Sequence, residues 1–175
     1  MLDNKKVILG VASVWDERKG LSDFIKLSYL LNADEEIILV GLSEKQKDFL
    51  PIDKNIRGIS RTESQKELAQ LYTEAIVFVN PTYEDNFPTT NLEALACGTP
   101  VITYRTGGSI ESVDKKTGFV VKQSDIQGLR ESISKIEQST KKSFTNACRI
   151  RAESLFGKQS QFSKYIELYQ NLLSK

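Results

Sequence analysis

The sequence predicts an α/β fold, a Rossmann-like doubly wound parallel sheet of about six strands with helices on both faces and extra C-terminal helices. Short apolar runs alternate with longer amphipathic stretches up to Ser124, and this alternation is typical of a parallel sheet covered by helices. The apolar runs do not alternate with polar residues at a period of two, as expected for strands that are buried on both faces.

The predicted elements follow in order along the chain. The strands are the apolar runs Val7–Leu9, Ile37–Val40, Ile56–Ile59, Ile76–Val79, Val101–Thr103 and Phe119–Val121. Apolar residues recur at three- and four-residue spacing in residues 21–31, 68–72 and 129–136, which predicts helices there. The chain is expected to end in two helices over residues 141–154 and 158–174.

Several predicted helices begin with a hydroxyl residue that is followed three residues later by Gln or Glu. This spacing is typical of a capping box, in which the two residues satisfy free amide groups at the helix start. The pairs are Ser43 with Gln46, Thr62 with Gln65, Thr90 with Glu93, and Ser124 with Gln127.

The composition limits the classes of function. The 175 residues suit a single domain over residues 1–175, and 24 basic against 23 acidic residues give no reason to expect nucleic acid as a partner. Histidine is absent, which removes the commonest metal ligand and general base, so no metal site is predicted. Cys97 and Cys148 have no zinc or CxxC spacing, which indicates reduced thiols in a cytoplasmic protein; Cys97 is expected to pack in the core.

In a doubly wound sheet, ligands bind beyond the carboxyl ends of the strands, near the point where the strand order reverses. The loop after the first strand, SVWDERKG, places Arg18 and Lys19 just before a predicted helix. The helix dipole disfavours cations at this position unless an anion lies between them, so the pair indicates a phosphate site. A solvated basic turn is the alternative.

The long loop after the fourth strand carries a second candidate group. Asp85 and Glu93 are separated by seven residues, and carboxylates of this kind accept hydrogen bonds from sugar and ribose hydroxyls. The amide groups at the start of the following helix could hold a diphosphate. An Asx turn at Asp85 and a capping box at Glu93 are the alternatives.

Two further features follow strand ends. Gly107 and Gly108 either let the backbone approach a ligand or simply form a turn. Arg61 follows the third strand and is expected to be a surface residue.

Together these loops resemble a known family. The segment NPTYEDNFPTTNLEALACGTPVITYRTGGSIESV (Asn80–Val113) resembles the signature of retaining glycosyltransferase family 4, which has the GT-B fold. Ser13–Gly20 resembles the phosphate loop of that family and Thr117–Val121 its Thr-Gly-hydrophobic strand, and the C-terminal helix with Tyr169 also fits. The chain departs from the family pattern at Ala12-Ser13 in place of Gly-Arg, and at Asp85-Asn86 in place of Glu-Gly.

The resemblance implies a role for each matching residue. Lys19 and Arg18 would neutralise the donor diphosphate, and Asp85, or Glu84 beside it, would contact the transferred sugar. Glu93 would bind the ribose hydroxyls. The resemblance places the nucleotide base near Gly41-Leu42 and Ile59-Ser60, and the remaining donor contacts at Ser13, Asn86, Phe87, Thr89 and Thr90.

The function implied is transfer of a hexose from a UDP- or GDP-sugar to an acceptor hydroxyl with retention, without a metal cofactor, in bacterial polysaccharide or glycan synthesis. The chain would be the donor-binding C-terminal half of such an enzyme, with the N-terminal acceptor-binding half absent. The isolated domain is then expected to bind a nucleotide sugar without transferring it. A full-length enzyme would lie in the cytoplasm or at the inner face of the membrane, with any membrane contact made through the absent half. A non-catalytic nucleotide-binding module is the alternative.

Overall fold

A computed structural model describes residues 5–174 and confirms the predicted sheet. Its strands are β1 (Lys6–Val11), β2 (Glu35–Val40), β3 (Ile56–Ile59), β4 (Val77–Asn80), β5 (Val101–Tyr104) and β6 (Gly118–Val121). All neighbouring strands pair in parallel, in the order β3-β2-β1-β4-β5-β6. Each strand overlaps one of the predicted apolar runs.

Helices connect the strands and extend the C-terminus. They are α1 (Leu21–Ser28), α2 (Glu44–Asp48), α3 (Gln65–Glu74), α4 (Thr89–Ala96), α5 (Ile126–Ser139), α6 (Lys141–Phe156) and α7 (Lys158–Leu173). Two short 3-10 helices lie at Glu17–Lys19 and Gly107–Ser112. The two predicted C-terminal helices are confirmed as α6 and α7.

The strand order reverses between β1 and β4. Leu9 of β1 pairs with Ile38 of β2 on one side and with Phe78 of β4 on the other. From β1 the chain proceeds outward to β2 and β3, and from β4 it proceeds in the opposite direction to β5 and β6. The loops that leave β1 and β4 therefore diverge and leave a crevice at the carboxyl end of the sheet.

The central strands carry the core. Ile37, Ile38 and Leu39 of β2 are fully buried on both faces, which explains their uninterrupted apolar sequence. On one face α5 contributes Leu129 and Ile133 to this core. The sheet is thus rigidly packed, and the loops extend from the carboxyl ends of its strands.

The helix starts show which predicted caps form. The box at Ser43 is confirmed, with both of its hydrogen bonds present. The boxes at Thr62 and Ser124 are wrong, because Ser64 caps α3 and Asp125 caps α5. Ser124 has a left-handed backbone (φ 63°), which excludes the extended conformation that a capping residue needs.

The last helix exposes its apolar side chains. None of the residues of α7 is buried, and the exposed apolar residues are Phe162, Tyr165, Ile166, Leu168, Tyr169, Leu172 and Leu173. Across residues 5–174, neither this helix nor any other combines the length and hydropathy that a membrane span requires.

Candidate functional site

Two loops enclose a cavity at the strand-order reversal. We call them the Lys19 loop (residues 12–20, after β1) and the Asp85 loop (residues 81–88, after β4). The cavity between them has a volume of about 220 Å³. Six predicted site residues line it: Ser13, Lys19, Asp85, Phe87, Thr89 and Thr90. Its other lining residues are Val11, Ala12, Asn80 and Pro88.

An ion pair joins the two loops across the cavity. The Lys19 ammonium nitrogen lies 2.5 Å from the Asp85 carboxylate, and the two side chains are only 21% and 15% exposed. Asp16 caps the 3-10 helix by accepting a hydrogen bond from the Lys19 amide, which fixes where the lysine side chain begins. A cation with a partner carboxylate is therefore held at the wall of the cavity.

Arg18 and Glu84 lie outside the cavity, although both were predicted site residues. The Arg18 guanidinium donates a hydrogen bond to the Glu84 carbonyl (3.2 Å) and lies 3.7 Å from the Asp16 carboxylate. It borders a separate depression with Ser22 and Tyr83. Glu84 is exposed, so of the two neighbouring acids it is Asp85 that faces Lys19 and the cavity.

The glycine turn after β5 supports the Asp85 loop from behind. The Gly108 amide donates to the Asn86 carbonyl at 2.9 Å. A Cβ atom on Gly107 would lie 2.1 Å from the Asp85 carbonyl oxygen, and Gly107 also has a positive φ of 38°. The two glycines therefore let the backbone of this turn approach the backbone of the Asp85 loop closely. The Gly108 amide holds the carbonyl of Asn86, a residue whose side chain is exposed.

The start of α4 opens onto the cavity without a side-chain cap. The predicted box of Thr90 with Glu93 is wrong, because the helix begins at Thr89 and Pro88 is the capping residue. No side chain bonds to the first amide groups of α4, as is also the case for α1, α6 and α7, whereas α2, α3 and α5 each have such a cap. The free N–H groups and the helix dipole give this end of the cavity a partial positive charge.

Glu93 points away from the helix start, toward α3. Its carboxylate accepts a hydrogen bond from the Tyr72 hydroxyl at 3.1 Å. Burial raises the pKa of Tyr72, and the nearby Glu93 charge raises it further, so the phenol remains a donor. Glu93 itself is exposed and lies outside the cavity lining.

The predicted base-binding positions lie at the ends of the next two strands. The Gly41 amide donates to the Ile59 carbonyl at 2.8 Å, and the Ser60 hydroxyl bonds to the Glu44 carboxylate. Neighbouring strands are about 4.8 Å apart, so the end of β3 is roughly 10 Å from that of β1. Arg61 is exposed, as expected.

Comparison with known proteins identifies the family. The family model described as "Glycosyl transferases group 1" matches residues 5–139. The chain belongs to this family. Among curated relatives it is 23% identical, over 98% of its own length and 46% of the relative, to the N,N'-diacetylbacillosaminyl-diphospho-undecaprenol alpha-1,3-N-acetylgalactosaminyltransferase of Campylobacter jejuni. It is 24% identical, over 98% of its length and 48% of the relative, to the capsular polysaccharide biosynthesis glycosyltransferase CapM of Staphylococcus aureus.

Solved structures share the fold of this glycosyltransferase domain. Sucrose-phosphate synthase from Thermosynechococcus elongatus superposes with a TM-score of 0.82 at 24% identity, over 98% of this chain and 46% of that one. Anabaena HepE in complex with UDP superposes with a TM-score of 0.81 at 19% identity, over 96% of this chain and 49% of that one. The chain thus has a Rossmann-like domain of GT-B type and spans about half the length of the relatives it matches.

The glycosyltransferase domain also contains a buried polar network that the sequence did not predict. The Asn91 side chain accepts from Asn80 (2.8 Å) and donates to Ser112 (2.8 Å) and Ser109 (3.2 Å). The Thr103 hydroxyl joins Ser109 to the Asn80 carbonyl. The available signal was the spacing of Asn91 from Ala94 and Leu95, which places an amide on the buried face of α4. This network ties the uncapped end of α4 to β4 and β5.

The two thiols are free and shielded. Cys148 is buried and Cys97 is half-buried, as expected for Cys97. Burial raises the pKa of both, and that of Cys148 reaches about 12. Within residues 5–174, no three His, Cys, Asp or Glu side chains are grouped so that they could hold a metal ion.

Proposed function

We propose that this domain binds the donor of a retaining family 4 glycosyltransferase, a hexosyltransferase that uses a UDP- or GDP-sugar in bacterial polysaccharide or glycan synthesis. One observation carries the proposal. The Lys19 ammonium, the Asp85 carboxylate and the uncapped start of α4 all face one cavity at the strand-order reversal. This set offers two positive elements for a diphosphate and one acceptor for a sugar hydroxyl.

The diphosphate would lie between Lys19 and the first amides of α4. When the bond from the anomeric carbon to the diphosphate oxygen breaks, negative charge develops on the leaving diphosphate. A preorganised ammonium and free amide groups stabilise this charge electrostatically. We propose that these groups supply the positive charge in place of a bound metal ion.

The other parts of the donor fit around the diphosphate. Asp85 would accept a hydroxyl of the transferred sugar. Glu93 lies outside the cavity, so the ribose would have to extend out of the cavity for its hydroxyls to reach the Glu93 carboxylate, which Tyr72 holds. The base would reach Gly41 and Ser60, which by strand spacing lie about 5 Å and about 10 Å from the end of β1. The cavity of about 220 Å³ is smaller than the ~300–1,000 Å³ of complete ligand pockets. We propose that an acceptor-binding domain supplies the opposite wall.

Arg18 has a different part in this arrangement. Its guanidinium bonds to the carbonyl of Glu84, one residue before Asp85, and thereby braces the Asp85 loop. Since the side chain is 44% exposed, it is free to turn toward a bound diphosphate. Its contribution to binding is then smaller than that of Lys19.

Names of related proteins support a nucleotide-sugar donor. HepE was solved with UDP, with UDP-glucose, and with UDP and glucose. A 29% identical relative from Corynebacterium glutamicum is named a GDP-mannose-dependent mannosyltransferase. These names define the two donor classes to test.

Titration calorimetry of UDP, GDP and ADP against the chain tests the proposal. We expect one nucleoside diphosphate to bind, and K19M to weaken that binding at least tenfold. K142M is the control, because Lys142 is an exposed residue of α6, outside the cavity lining. Absence of binding by all three nucleotides would contradict the proposal.

A separate measurement tests whether sugar transfer requires an acceptor-binding domain in addition to this chain. The chain alone should bind the nucleotide sugar without transferring it to a glycan acceptor. Efficient transfer by the chain alone would show that a second domain is unnecessary.

A further inference from the structure

We propose that Tyr83 is a positioning residue that sets the distance between the Lys19 loop and the Asp85 loop, and thereby the contact of Asp85 with the donor sugar. This inference rests on the proposed function and adds a residue to it. Tyr83 lies two residues before Asp85 and makes hydrogen bonds with its amide, its carbonyl and its hydroxyl.

The backbone of Tyr83 joins the two loops directly. Its amide donates to the carbonyl of Arg18, the residue before Lys19, at 2.8 Å. Its carbonyl accepts from the Thr106 hydroxyl at 2.9 Å and from the Gln123 side chain at 2.8 Å. The Lys19 loop and the glycine turn behind Asp85 are therefore both bonded to this one residue.

The hydroxyl of Tyr83 is bonded to a buried carboxylate. It donates at 2.5 Å to Asp23, a residue of α1 that is 0% exposed. Asp23 also accepts from the Tyr104 hydroxyl (2.9 Å) and from the Lys26 ammonium (3.0 Å). A buried carboxylate is tolerated only when it is paired in this way, so Asp23 is a fixed acceptor in the helix that continues the Lys19 loop.

The phenol remains a donor over the physiological pH range. Burial raises the pKa of Tyr83, and the hydrogen bond to Asp23 raises it further. The Ser124 hydroxyl lies 2.7 Å from the Tyr83 phenol oxygen, and this second contact helps to hold the Tyr83 side chain in place. The Tyr83 ring also packs edge-on against Tyr104, with ring centroids 5.5 Å apart.

Tyr104 offers a matched control. Both phenols donate to the same Asp23 oxygen, so Y83F and Y104F each remove one hydrogen bond from one carboxylate and keep the ring. Tyr104 is the last residue of β5 and belongs to neither loop. A purely structural role of the cluster would make the two variants equivalent.

The ligand test uses the gain in affinity that the sugar provides. We would measure the Kd of UDP and of UDP-glucose, and of GDP and GDP-mannose, for the full chain and both variants. In Y83F we expect the ratio of the diphosphate Kd to the nucleotide-sugar Kd to fall about fivefold to tenfold, the effect of a misplaced charged hydrogen bond. The Kd of the diphosphate itself should change less than twofold, and Y104F should leave the ratio unchanged. An unchanged ratio in Y83F would overturn the inference.

Hydrogen exchange tests the positioning without any ligand. The Gly108 amide is bonded to the Asn86 carbonyl, so its exchange rate reports whether the Asp85 loop is held against the glycine turn. We expect Y83F to accelerate this exchange at least tenfold and Y104F to leave it unchanged. If neither nucleotide sugar binds the wild-type chain, the proposed function fails while this arm still decides the inference. Equal exchange in wild type and Y83F would reject it.

Discussion

Opposite effects are expected from removing the two members of the Lys19–Asp85 ion pair. In the domain without ligand, the Asp85 carboxylate lies 2.5 Å from the Lys19 ammonium and forms an ion pair with it. An incoming diphosphate competes with Asp85 for that ammonium. K19M removes the cation that holds the phosphate, whereas D85N removes the competing anion and keeps the size of the side chain.

The magnitudes follow from the chemistry of the pair. A hydrogen bond between charged groups contributes about 1.5–3 kcal/mol, so K19M should raise the Kd of the nucleoside diphosphate about 10- to 150-fold. A carboxylate about 5 Å from a phosphate charge repels it by about 1–3 kcal/mol for effective dielectric constants of 80 to 20. Since both side chains retain some solvent contact, the lower figure applies, and D85N should bind the diphosphate about fivefold more tightly.

Calorimetry with the nucleoside diphosphate and with its nucleotide sugar separates these effects. D85N should lose the contact with the sugar hydroxyl, so its affinity for the nucleotide sugar should no longer exceed its affinity for the diphosphate. If D85N weakened diphosphate binding as strongly as K19M does, Asp85 would serve mainly to orient Lys19. Asp85 would then not compete with the diphosphate for the Lys19 ammonium.

Three further outcomes can be checked separately. G107A should lower the free energy of unfolding by about 2 kcal/mol, because the new Cβ would lie 2.1 Å from the Asp85 carbonyl; chemical denaturation measures this. Burial lowers the pKa of Lys141 to about 8, so NMR spectra of its side chain should show a titration near pH 8. Because the unfolded chain then binds more protons between pH 8 and about 10.5, stability should rise with pH in that window relative to K141M. Cys148, with a pKa of about 12, should resist alkylation at pH 9, where less than about 1% is thiolate.

Each of these outcomes has a contrary result. Unchanged stability of G107A would mean that the Asp85 loop yields at little cost. A Lys141 titration near pH 10.5 would show that the amine is solvated. Alkylation of Cys148 in the folded chain as fast as in guanidinium would show that helix α6 opens readily.

The central strands β2, β4 and β5 were predictable because they are buried on both faces. Burial on two sides leaves only apolar residues acceptable, and this gives uninterrupted runs such as Ile37–Val40 that need no tertiary information. Lys19 and Asp85 were predictable for a related reason. Both follow strands that end at the same edge of the sheet, so their loops must meet there.

Details that depend on backbone conformation were not predictable. Ser124 and Asp125 are both good capping residues, and only the left-handed backbone of Ser124 decides between them. Arg18 and Lys19 are adjacent, and a single 3-10 turn directs one toward the cavity and the other away from it. The contact of Tyr83 with Asp23 joins residues 60 positions apart, which no local pattern reveals.

A crystal structure of the chain with its bound nucleoside diphosphate tests the donor site most directly. We expect the phosphates in the cavity, within hydrogen-bonding distance of the Lys19 ammonium and of the Thr89 or Thr90 amide. The Lys19–Asp85 contact should be longer than the 2.5 Å of the free domain. Phosphates bound elsewhere, with the Lys19–Asp85 pair intact, would contradict the assignment of this cavity to the donor.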